Sequence, residues 1–178
     1  MFSAKIVYYA VVISSRRDSP LKPPIVNFSD FSFDKVVEDK EGIYEVNPHR
    51  HELALLDGIL HYDDEKAVGY YDVPEDAFWI RGHFPGRPLM PGVLITEVAA
   101  QLTSYLGTRN GIRGDAVIGL AGVTDVRFRA QVMPGDRLVV MVKTLKSRKG
   151  AMIVTEFQVY VGETLASEGQ IKGVAISQ

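Results

Sequence analysis

A single helix-length segment, Pro91 to Leu106, is apolar around its whole circumference, and the chain after it reads as β-strand. Val93, Leu94, Ile95, Val98, Ala99, Ala100, Leu102 and Leu106 surround the axis, the pattern of a helix buried on all sides. Pro91 suits its first turn and Gly107 its stop. Four strand-like runs follow: Val117 to Arg129, Arg137 to Leu145, Ala151 to Val161 and Thr164 to Ile176. They are separated by Pro134-Gly135-Asp136, Lys149-Gly150 and Gly162-Glu163. Ahead of the helix, Ile59 to Tyr62 and Ala67 to Val73 flank the charged turn Asp63-Asp64-Glu65-Lys66 and read as a hairpin. One all-round apolar helix beside a long antiparallel meander implies an α+β domain whose sheet wraps the helix.

The chain has 178 residues, 46% of them hydrophobic, enough for one core and one domain. The first forty or so residues differ from the rest, with Ser19-Pro20-Leu21-Lys22-Pro23-Pro24 interrupting any regular element. Residues 1–42 are therefore expected to be an extension, as an added strand and linker, a disordered arm or an over-long gene start, ahead of a domain over 43–178. The apolar stretch Ile6 to Ile13 is far short of the roughly 20 residues that span a bilayer. Arg16 and Arg17 follow it, the reverse of a secretory signal, so a cytoplasmic protein is expected.

There is no cysteine, which fits a reducing compartment and excludes thiol catalysis. A net charge of −2 argues against a general nucleic-acid binder. The charge is uneven. Acidic side chains dominate between Asp30 and Asp76, whereas Arg127, Arg129, Arg137, Lys143, Lys146, Arg148 and Lys149 gather later. That asymmetry reads either as a basic surface for an acidic partner or as solvated strand faces.

The chemistry-bearing segment lies just before and inside the buried helix. Gly82-His83-Phe84-Pro85-Gly86-Arg87-Pro88-Leu89-Met90-Pro91-Gly92 packs three prolines and three glycines into a short loop. Such a loop is rigid and lets a ligand approach the main chain, holding His83 beside a helix start. Glu97 and Gln101 are the long polar side chains between Val93 and Leu102, and a spacing of four puts them on one face. A carboxyl group there is costly unless used, and burial should raise its pKa. Gln101 can hold it in one orientation. The free amides near Gly92 and Val93 offer an oxyanion site. A base, an acid and an oxyanion site fit elimination of water from a 3-hydroxyacyl thioester. Taken singly, His83 reads as well as a structural histidine, Glu97 as a partly exposed helix carboxylate and Gln101 as a surface residue.

Together, Gly82 to Pro88, Met90-Pro91-Gly92-Val93-Leu94-Ile95, Glu97 and Gln101 closely resemble the active-site motif of the 3-hydroxyacyl-[acyl-carrier-protein] dehydratases. The likeness continues through Pro48-His49-Arg50, Leu120-Ala121-Gly122, Val126-Arg127-Phe128 and Pro134-Gly135-Asp136, from about Tyr44 to the C-terminus. The resemblance implies a hot-dog fold and a homodimer, in larger assemblies up to a hexamer, with active sites shared across the subunit interface. It makes His83 the base for the α proton, Glu97 the support for the leaving hydroxyl, and the Gly92 amide the oxyanion donor. Phe84, Leu94 and Val98 are candidates for pocket walls, with core packing the competing role for each. It implies no cofactor, and acyl carrier protein as the acidic partner of Arg127, Arg129, Arg137, Arg148 and Lys149. Glutamate at 97 matches the branch that only dehydrates; the dehydratase/isomerases carry aspartate there. The chain departs from the family after Pro48-His49-Arg50, where His51-Glu52-Leu53 and Asp57-Gly58 stand. His49, His51 and His61 lack the accompanying pattern of a metal site. A specialised acyl or polyene pathway, a non-catalytic acyl-binding protein and a thioesterase are the alternatives.

Overall fold

A computed structural model describes residues 22–176; the apolar stretch Ile6 to Ile13, Arg16 and Arg17 lie outside the described residues. In chain order the regular elements are α1 (Lys40–Val46), β1 (Gly58–Tyr62), β2 (Lys66–Asp72), α2 (Gly92–Arg109), β3 (Val117–Phe128), β4 (Arg137–Arg148), β5 (Met152–Val161) and β6 (Thr164–Ile176). The strands form one antiparallel sheet in the order β1-β2-β4-β5-β6-β3. It packs around α2, whose Val98, Ala99, Leu102, Tyr105 and Leu106 have no solvent exposure. This is the α+β architecture expected from the pattern of one buried helix among strands, and the hot-dog fold that the resemblance implies.

Two details of the expectation change. Strands β4, β5 and β6 do form a meander, but β3 pairs with β6 at the far edge instead of with β4. The segment after β3 crosses the open end of the sheet, held by the Arg129 amide donating to the Ala166 carbonyl at 2.7 Å. The helix also runs past Gly107 to Arg109, with Asn110 as its cap. Gly107 is a packing residue: a Cβ there would lie 2.7 Å from Cδ1 of Ile118, so its bareness lets β3 close on the helix.

Strand β4 explains the role of the chain ahead of α1. Leu138, Val139, Val140, Met141 and Val142 are all buried, with no polar alternation, so both faces of the strand are covered. Leu138, Val140 and Val142 face the helix core; Val139 and Met141 face a second cluster with Val26, Leu60, Val68, Tyr160 and Leu165. Residues 22–39 supply that second cover. Val26 is buried, the Phe28 ring meets Tyr160 edge-on at 5.2 Å, and buried Gln158 accepts from the Ile25 amide at 2.8 Å and donates to the Pro23 carbonyl at 3.1 Å. The arm then bridges β1, with Val37 N donating to Ile59 O and Ile59 N to Glu38 O, both at 2.8 Å. Among the described residues no helix is long and apolar enough to cross a membrane.

Candidate active site

The loop before α2 is fixed by its own backbone bonds and by two buried anchors, Trp79 and Met90. Phe84 and Arg87 exchange amide-to-carbonyl bonds of 3.0 and 2.9 Å around Pro85-Gly86, with Gly86 at φ +76°, where a side chain would be strained. The His83 amide donates to Trp79 O at 2.9 Å, the Leu89 amide to His83 O at 2.9 Å, and the Met90 amide to Val132 O at 2.8 Å. The imidazole is held as firmly as its backbone. Nδ1 lies 2.7 Å from the Leu89 carbonyl, and the ring stacks on Phe84 at 4.0 Å. A carbonyl oxygen only accepts, so Nδ1 carries a hydrogen, and in the neutral ring this tautomer leaves the lone pair on Nε2, the pattern a general base needs.

The helix start beside this loop is built for close approach. A Cβ at Gly92 would lie 2.7 Å from the Phe128 ring, so glycine alone admits that ring. The first-turn amides of Gly92 and Val93 have no acceptor one turn back, and they mark the positive end of α2. Val93 is 75% exposed, Phe84 is exposed and Leu94 is half-buried. Val98 is wholly buried in the main core, where it packs.

One turn further, the half-buried Glu97 carboxyl is held by Gln101, which is buried and far from the surface residue its polarity suggests. Gln101 Nε2 donates to Glu97 Oε1 at 2.9 Å and to the Leu53 carbonyl at 2.7 Å, while its Oε1 accepts from the Leu55 amide at 3.0 Å. Its amide orientation is thereby settled and only its donor end can face the carboxyl. His49, which sequence reasoning left without a role, stands with Nε2 3.4 Å from the same Glu97 Oε1. The signal for it was present in Pro48-His49-Arg50, inside the stretch that resembles the dehydratases.

Glu97 and His49 open on a cleft walled by Ala100, Thr103 and Ser104 of α2, Ile118 to Leu120 of β3, and Ile171 and Gly173 of β6. His83 is not among its walls. In one chain the His83 imidazole thus stands by the helix start, outside the cleft on which the Glu97 carboxyl opens beside β3. A family model described as a FabA-like domain matches residues 47–170.

The chain belongs to the FabA-like family.

The 3-hydroxyacyl-[acyl-carrier-protein] dehydratase FabZ of Pelotomaculum thermopropionicum is 40% identical over 134 residues, which cover 75% of this FabA-like chain and 95% of that relative. A Streptococcus pneumoniae protein of the same description is 36% identical over 133 residues, covering 75% and 94%. Among solved structures, the dehydratase heterocomplex ApeI:P from Xenorhabdus doucetiae superposes with a TM-score of 0.64 at 16% identity, covering 76% of this chain and 91% of that one. A sigma28-regulated virulence protein of Campylobacter jejuni gives 0.56 at 18% identity, covering 78% and 90%. These two share the fold.

The basic residues do not gather as one patch in the FabA-like chain. Arg137 and Arg148 stand at opposite ends of β4, about 35 Å apart at ~3.3 Å per residue. Arg127, Arg129 and Arg137 sit at the end of the sheet that holds the start of α2; exposed Arg148 and Lys149 lie at the other. Arg129 pairs with Glu168, and Arg137 grips Asp72 through two bonds of 2.5 and 2.6 Å while covering the Tyr70 ring. Arg81 and Arg87, exposed on the His83 loop, add positive charge at the same end and were not singled out from the sequence.

Proposed function

We propose that the protein dehydrates 3-hydroxyacyl groups carried by acyl carrier protein to trans-2-enoyl groups, as a homodimer in the cytoplasm serving type II fatty-acid biosynthesis. The observation that carries this is a histidine held through Nδ1 by a backbone carbonyl and a helix-borne carboxyl held by Gln101, in a chain matching the FabZ dehydratases over nearly their whole length. His83 Nε2 takes the α proton, and the electrons of the C–H bond form the enolate, whose oxygen sits at the Gly92 and Val93 amides. The Cβ–O bond then breaks as the double bond forms. Glu97 gives its proton to the departing hydroxyl, which leaves as water. A proton passing from the imidazolium back to the carboxylate resets the pair.

The absence of His83 from the walls of the Glu97 cleft supports a dimer in which His83 works with Glu97 of the partner subunit. Exposed Phe84, with Leu94 nearby, is proposed to border the acyl channel, and the positive end of the sheet at Arg127, joined by Arg81 and Arg87, to receive the acidic carrier. The test is turnover of carrier-linked 3-hydroxyacyl chains of graded length, followed by mass spectrometry. His83→Ala and Glu97→Gln should each lower kcat by about 100-fold or more. Undiminished turnover in either variant rejects the roles assigned; a sharp preference for an unusual acyl chain would move the enzyme to a specialised pathway.

A further inference from the structure

We infer that His49 is a positioning residue for the acid, acting with Gln101 to decide which oxygen of Glu97 carries the proton; this rests on the reading of Glu97 as that acid. Both neighbours meet the same atom. Gln101 Nε2 lies 2.9 Å from Oε1 and His49 Nε2 lies 3.4 Å from it. The amide can only donate at that end, and the imidazole donates once Nε2 carries its hydrogen. With both donors engaged, Oε1 serves as acceptor and the carboxyl proton resides on Oε2, the oxygen left for the departing hydroxyl. After the C–O bond breaks, the same two N–H groups meet the new carboxylate. At 3.4 Å the two groups stand within ion-pair range without a hydrogen bond between them, and the bond is inferred to form when substrate closes the site, as catalytic hydrogen bonds tighten in the complex.

The surroundings make this more than packing. His49 and Glu97 are the ionisable side chains of the cleft; its other walls, from α2, β3 and β6, carry none. His49 Nδ1 is buried without a hydrogen-bond partner among the described residues, an arrangement that stability alone disfavours. The backbone around His49 is fixed independently of its ring. Asn47 Nδ2 donates to the Gln101 carbonyl at 2.9 Å, and the Arg50 guanidinium donates to the carbonyls of Asn47, His49 and Tyr44 at 2.8 to 2.9 Å. Replacing the ring therefore leaves the segment in place.

Two substitutions separate the inferred N–H donor from the space the ring fills. His49→Phe keeps ring volume without an N–H, and His49→Gln restores an N–H on a flexible stem. In the full-length protein, with carrier-linked 3-hydroxyacyl substrate, His49→Phe should lower kcat about 10- to 100-fold with KM changed less than about threefold, and His49→Gln should recover most of that loss. Equal activity of the two variants, or a loss confined to KM, overturns the inference. Failure of the underlying reading looks different, because His83→Ala and Glu97→Gln would then retain turnover whatever His49 does.

Discussion

The two edges of the sheet are treated in opposite ways. At β1 the chain covers its own edge: residues 37 and 38 bond to Ile59, and Glu38 accepts from the Tyr105 hydroxyl at 2.9 Å and from Arg109. At β3 nothing comparable stands among the described residues, and Leu120, Val123 and Phe128 are 54, 45 and 47% exposed. An edge strand with apolar side chains in water invites another chain, and natural sheets normally blunt such edges. The Glu97 cleft has its wall at the open edge, and the Gly92 amide lies under Phe128 at the end of the same strand. The difference teaches that one edge is closed to keep the fold single, while the other is left open beside the Glu97 cleft, where the proposed partner subunit would dock.

Putting charge on the open edge should therefore have the largest effect. Leu120→Glu and Val123→Glu alter exposed positions, so the subunit should stay folded by circular dichroism while light scattering reports monomers. Turnover should fall about 100-fold or more, because acid and base no longer meet. Mixing two inactive variants sharpens the point. If His83→Ala and Glu97→Gln subunits are allowed to exchange at random, half the dimers are mixed and each mixed dimer has one intact site, so about a quarter of normal activity should return. No recovery after proven exchange would place both groups of one site in one chain.

How far the edges were legible in the sequence differs for the same reason that their roles differ. The helix, the hairpin and the later strands follow from local periodicity, and His83, Glu97 and Gln101 follow from a loop-and-helix motif whose parts are neighbours along the chain. Strand order does not. Placing β3 beside β6 requires knowing a pairing between Val117 and Ile176, which no local pattern contains. Gly107 misled because a glycine near a helix end has two physical uses, capping and close packing, and Ile118 decides between them from a distance. The basic residues could be read as one surface or as solvated strand faces because sequence distance hides the length of β4. The arm was hidden by its prolines, although the unbroken apolar run Leu138 to Val142 already implied that something covers the second face.

The closed side offers the next contrast, since damage there should affect stability and spare chemistry. Phe28→Ala removes a half-buried ring that meets Tyr160 and Phe31. The loss should be about 2 kcal/mol, below the value for a fully buried phenylalanine, read from urea unfolding at fixed protein concentration. The kcat of the folded fraction should be unchanged. A fall in kcat without a fall in stability would mean that the arm reaches the active site, and the two sides of the sheet would no longer be separable.

The smallest effect belongs to the turn that joins β1 to β2 on the closed side. Asp63 Oδ1 accepts from the amides of Glu65 and Lys66, both at 2.7 Å, and Oδ2 lies 3.4 Å from His61 Nε2. Slight burial raises the pKa of this carboxyl group, but the two amides and His61 outweigh it and hold the group below its ordinary value. A depressed folded-state pKa contributes stability above the unfolded-state value, and that contribution disappears as pH falls through the folded one. Asp63→Ala should therefore cost about 1 kcal/mol near pH 7, in the range of a lost cap, since half of the side chain is solvated and its charge is screened. The gap between wild type and variant should narrow once the pH drops below about 4, where the unfolded aspartate begins to hold its proton. A gap that stays constant down to pH 2 would assign the effect to turn packing instead of charge, and one that also lowers kcat would tie the β1 hairpin to the site across the sheet.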